Sequence, residues 1–185
     1  MLVLAKRCDP LDDDLTRSAS GEWVVEQLTE GVVSVEWTLP GADETLPRVH
    51  LHIGDGTRPP VDLAFDKRDG RLLGVQVILQ DQAVAEEHVF GAGLLVEDGV
   101  LVADLTPWRG EEQLLDHVFT PTVAWEPTGT LAVRIARTSG LPAKECVVDR
   151  VRAVLDANGF VLGVRMTGFS ESDIAIVTHA SVDAR

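Results

Sequence analysis

Apolar residues in this 185-residue chain recur at every second position in run after run, and valine (26) outnumbers leucine (22). That period suits a strand with one buried face, because successive side chains of an extended chain point to opposite sides. Val33, Val35 and Trp37 alternate with Val32, Ser34, Glu36 and Thr38. Val49, Leu51 and Ile53 alternate with Arg48, His50 and His52. Val61, Leu63 and Phe65 alternate with Asp62, Ala64 and Asp66, and Leu73, Val75, Val77 and Leu79 follow on one face. Further strands are expected near 94–97, 100–105, 122–126, 131–137, 147–155, 160–168 and 174–179. Asp69-Gly70 closes a hairpin, and Asp98-Gly99 and Asn158-Gly159 read as two more hairpin turns, since glycine accepts the positive φ such turns need.

Helix is scarce in this reading. One is expected near 107–118, where Thr106 can cap, Pro107 suits the first helical position, Glu111 and Glu112 favour the N-terminal dipole, and Leu114, Leu115 and Val118 form a stripe. The predicted fold class is therefore mainly β: an antiparallel β-sandwich or partly closed barrel, forming one compact domain over 1–185. A chain of this length buries about 70% of its unfolded surface and needs no staples to hold a core.

The sequence also matches itself. VDLAFDKRDGRLLGVQV (61–77) aligns with VRAVLDANGFVLGVRM (151–166) once a turn residue is dropped, with Leu-Gly-Val at 73–75 and 162–164. EGVVSVEW (30–37) is similar to DGVLVADL (98–105), and IGDGTRPP (53–60) more loosely to IARTSGLP (135–142). Two tandem β-rich units, near 22–90 and 94–180, are the simplest account, with Phe65 and Leu155 at equivalent core positions.

Charge narrows the choice of partner. Sixteen Lys plus Arg against 30 Asp plus Glu give a net charge of −14, which disfavours a nucleic-acid backbone or an anionic membrane surface, because both are bound through cations. A basic protein is the partner this charge suits, and the exposed edges of such sheets leave room for a homodimer. The cluster Asp9, Asp12, Asp13 and Asp14 reads as a solvated turn, since no Asp-x-Asp-x-Asp-Gly loop accompanies it. Only Cys8 and Cys146 are present. Their spacing is neither a disulfide framework nor a zinc pattern, so reduced thiols in a cytoplasm are expected. MLVLAKRC is too short and wrongly charged for a signal peptide, and no run approaches the ~20 apolar residues of a membrane span.

The sharpest chemical feature is His50-Leu51-His52. Residues i and i+2 of a strand face the same way, so both imidazoles can reach one divalent metal, with Asp55 just beyond as a third ligand. The competing reading is a solvated outer face with Arg48 beside it. The cupin family carries a related His-x-His, but its following Glu and later Pro-x-Gly-x-x-His segment are missing here. His88, His117 and His179 single out no general base, and Gly-x-Ser-x-Gly and P-loop patterns are absent. Trp108 and Arg109, with Trp23 and Trp125, are the candidate partner-binding anchors, and burial is the competing and favoured reading of these tryptophans. The expected function is a non-enzymatic binding or interaction protein with an acidic surface and no cofactor. The alternatives are a metal-dependent hydrolase or isomerase using His50, His52 and Asp55, and a carrier with an apolar small-ligand cavity between its halves.

Overall fold

The computed structural model of the chain describes residues 5–10, 22–39, 42, 45–56, 61–80, 89–108, 114–126, 129–136 and 141–182. The fold is mainly β, and the described residues form two six-stranded sheets, a two-stranded sheet and one short helix. The first large sheet contains β2 (Glu22–Thr29), β3 (Val32–Thr38), β4 (Arg48–Gly54), β5 (Val61–Asp66), β6 (Leu72–Gln80) and β9 (Leu114–Val118), in the order β2-β3-β6-β5-β4-β9. The second contains β7 (Leu95–Asp98), β10 (Thr122–Glu126), β11 (Thr130–Arg134), β12 (Pro142–Val148), β13 (Val151–Asp156) and β14 (Val161–Met166), in the order β10-β11-β14-β13-β12-β7. β1 (Ala5–Asp9) pairs with β8 (Val100–Ala103). The alternating residues of both large sheets meet in one core: Val33, Val35, Trp37, Leu51, Leu63 and Phe65 from the first, Leu131, Val133, Leu155, Val164 and Met166 from the second. This is a β-sandwich.

The two sheets repeat each other's local geometry. Hairpin β5–β6 carries a one-residue bulge at Leu73, and β13–β14 carries one at Leu162. The bulged carbonyls accept from Leu39 N (2.8 Å) and Ile135 N (2.9 Å), each just past the neighbouring strand. Gly70 O accepts from Ala103 N and Gly159 O from Ala5 N, both at 2.8 Å, so the two hairpin turns dock on opposite strands of the small sheet. Residues 98–105 are not placed like 30–37. The position of β3 is taken in the second sheet by β11, while 100–103 lies in the small sheet.

Both turns are closed by a buried aspartate. Asp156 Oδ1 accepts from Asn158 N (2.8 Å) and Phe160 N (2.9 Å), and Asp66 accepts from the backbone and guanidinium of Arg68. The Arg68 hydrogen bonds hold the Asp66 carboxyl below its ordinary value of 3.8. A depressed folded pKa stabilises fully above that ordinary value and is lost as pH falls through the folded one. Asp66→Asn is therefore expected to flatten the acid limb of stability. Urea midpoints compared between neutral pH and pH ~3 should fall less in the variant than in the parent; equal losses would contradict this.

Three expectations are corrected. The helix near 107–118 is absent among the described residues of that stretch, of which 109–113 lie outside the description. Leu114–Val118 instead forms β9, parallel to β4 with Leu115 opposite Leu51. The free edge of β4 offers a backbone ladder that outweighs the local capping signals, as tertiary context commonly does. The expected strand at 174–179 is α1 (Glu171–Val182), started by reciprocal bonds between Ser170 and Asp173 and held by Val177, which is fully buried. Asp98-Gly99 is no hairpin turn, because β7 pairs with β12 and β8 with β1. Gly99 (φ 146°) carries the chain between sheets where a Cβ would lie 2.2 Å from the Asp9 carbonyl oxygen.

The cysteines also depart from expectation. Cys8 and Cys146 form a disulfide, with Cα atoms 5.9 Å apart. Pairing of β1 with β8, which continues from β7 beside β12, brings residues 138 apart in sequence together. Among the described residues no helix is long and apolar enough to cross a membrane.

Candidate metal site on the first sheet

His50 and His52 leave the outward face of β4, as alternation requires while Val49, Leu51 and Ile53 are buried. Antiparallel register sets His52 opposite Asp62 of β5, and Asp62 opposite Gln76 of β6. On the other side, parallel register sets His52 opposite Asp116 of β9. A polar row thus crosses four strands.

Within it, His50 Nδ1 lies 2.8 Å from Asp62 Oδ2 and His52 Nε2 lies 3.4 Å from Asp62 Oδ1. Asp62 sits between the imidazoles, hydrogen-bonded through Oδ2 to His50 and near His52 through Oδ1. One ligand atom from each of His50, His52 and Asp62 lies within 4.8 Å of the other two, and this is the set among the described residues with metal-binding geometry. Asp62 Oδ1 is buried and has no hydrogen-bond partner, a state that costs free energy unless another group satisfies it. Asp116 Oδ1 lies 3.9 Å from His52 Nδ1, on a side chain that is largely exposed. Trp108 supports the strand from within by donating from Nε1 to the His50 carbonyl at 3.2 Å.

Asp55, the third ligand expected from the sequence, lies past the end of β4, where its carboxylate accepts from Thr120 Oγ1 at 2.7 Å, and the carboxylate beside the two imidazoles is that of Asp62. The chain leaves the outward row after Gly54, whereas the partner strand returns a carboxylate directly opposite His52. The hairpin register carried that information, since Asp62 is the outward residue of the run that follows. Arg48 lies further along the face, opposite Asp66.

The other candidates fall elsewhere. Trp108 is 8% exposed and meets Phe65 edge-on, with ring centroids 5.9 Å apart, so it is a core residue. Its indole follows the tight turn closed by Trp108 N donating to Leu105 O, which directs it inward. Arg109 and His88 lie outside the described residues. Trp23 and Trp125 pack on Phe169, at 5.0 and 5.4 Å. His117, inward on β9, stacks on Phe119, and burial pushes its imidazole below the ordinary 6.5. Two imidazoles and one carboxylate form a donor set suited to zinc and its first-row neighbours, and three ligands leave coordination positions open. No family model matches the chain, and no curated protein matches it.

Proposed function

We propose that this acidic β-sandwich is a binding protein whose ligand is a divalent first-row transition-metal ion, held by His50, His52 and Asp62. The carrying observation is the convergence of three ligand atoms within 4.8 Å on an accessible sheet face. The unsatisfied Asp62 Oδ1 supports it. The ion satisfies that oxygen and replaces the imidazole contacts, and Asp116 is near enough to orient His52.

Zinc titration by calorimetry, with metal analysis after dialysis, tests the reading. One equivalent is expected in the parent, with affinity falling at least about 100-fold in His50→Ala, His52→Ala and Asp62→Asn, and unchanged in Asp55→Ala. Absence of stoichiometric zinc in the parent, or equal binding by all variants, would overturn it. The open coordination positions favour a metal-dependent hydrolase or isomerase as the second reading. A basic protein remains the partner that the −14 charge suits.

The matched strand order, bulges and docking hydrogen bonds support descent by tandem duplication, with units near 22–90 and 94–180. Asp62 and Gln76 correspond in strand position to Arg152 and Arg165, so the two units present different chemistry at one scaffold site. The disulfide favours an oxidising compartment over the cytoplasm expected from the sequence.

A further inference from the structure

The second sheet's outer face carries a cavity of about 360 Å³, at the small end of the range for small-molecule sites. Its walls include Gly91, Glu126, Thr130, Arg152, Arg165 and Thr167. The segment bearing Gly91 is anchored by Phe90, whose ring lies 5.6 Å from the Arg134 guanidinium and 5.5 Å from that of Arg165. That ring occupies space left by Gly163, where a Cβ would lie 2.4 Å from Phe90 Cζ.

The floor is a buried ionic network. Arg165 donates from Nε and Nη2 to Glu126 Oε1 (3.3 and 3.1 Å), from Nη1 to Glu145 Oε1, and from Nη2 to the Gly91 carbonyl (2.7 Å). Side-chain exposures are 10% for Arg165, 5% for Glu126 and 3% for Glu145, while Arg152 is 41% exposed. Arg152 gives Nη1 to Glu145 Oε2 at 3.2 Å. Among the described residues that bond is the one Arg152 makes, leaving Nε and Nη2 without an acceptor, and the donors to the Glu126 carboxylate all meet Oε1. The cavity thus keeps one unused guanidinium edge and one unused carboxylate oxygen, in a cluster of two arginines and two glutamates whose charges cancel.

We propose that this cavity binds a free amino acid as its zwitterion, the carboxylate taken by Arg152 and the ammonium by Glu126. A guanidinium matches a carboxylate through paired donors. A net-neutral ligand leaves no uncompensated charge beside buried ions, whereas an anion or a cation alone would.

The test is differential scanning fluorimetry of the EDTA-treated protein with each of the twenty standard L-amino acids, followed by calorimetry on those that shift the transition. At least one is expected to raise the melting temperature saturably. Acetate, ethylamine and their equimolar mixture should not. Arg152→Gln, at a half-exposed position, is expected to melt like the parent and to bind at least tenfold more weakly, while His50→Ala binds as the parent does. The proposal is overturned if no amino acid shifts the parent, if Arg152→Gln binds equally well, or if acetate or ethylamine alone matches the amino acid. These readouts contain no metal, so their failure is separate from failure of the zinc site.

Discussion

A Cys8→Ser, Cys146→Ser double variant is expected to be less stable than the oxidised parent by about 5 kcal/mol, the chain-entropy value for a link between residues 138 apart. Reductant added to the parent should have a similar effect. The link ties β1 to β12 near the junction of the small sheet and the second large sheet. In the unfolded chain it closes most of the sequence into a single loop, and removing it restores that freedom. For a chain of this size the loss corresponds to about 10–20 °C in melting temperature. The check is a melt with and without reductant, beside a thiol titration of the native protein that should find no free thiol. Two reactive thiols, with a melt indifferent to reductant, would show the expectation wrong.

Arg165→Leu should come next in magnitude, at about 3–5 kcal/mol, because it strands Glu126 and Glu145 as buried carboxylates without their shared cation. Both are at most 5% exposed on the side chain. Arg152 still reaches Glu145 but not Glu126, so the substitution cannot be absorbed by one neighbour. Leucine would also remove the cation beneath Phe90 and the donor to the Gly91 carbonyl. Chemical denaturation measures the loss. A triple change of Arg165, Glu126 and Glu145 to leucine should recover much of it, since an apolar set of similar volume avoids desolvating ions altogether. If the single variant unfolds like the parent, the network contributes little.

Much of the sandwich could be read from alternation alone. The core-facing residues of β3, β4 and β5 are the alternating positions of the sequence, and the hairpins at 61–79 and 151–166 lie where Asp-Gly and Asn-Gly set them. Register across distant strands was not readable, and three errors share that cause. Residues 114–118 carry local helix signals, yet the edge of β4, more than 60 residues away, recruits them as a strand. Gly99 resembles a turn but serves close approach to Asp9. Two cysteines 138 apart gave no sign of meeting. The start of α1 was legible, because Ser170 followed three residues later by Asp173 is a capping signature, although the apolar residues of 174–177 also suit a strand. At the candidate metal site both histidines and their shared face were legible. Asp62 was not, because it is 12 residues from His50 in sequence and meets the pair only through the pairing of β4 with β5.

The exchange of β7 and β9 makes the two sheets hostages of each other. β7 lies in sequence just after the strands of the first sheet but edges the second, and β9, which follows it, edges the first. β7 and β9 therefore act together as a clasp, one strand held in each layer. Neither half can be cut away whole, since a break near residue 99 severs an edge from each sheet's own strands. Separation of the layers requires the clasp to unzip from both.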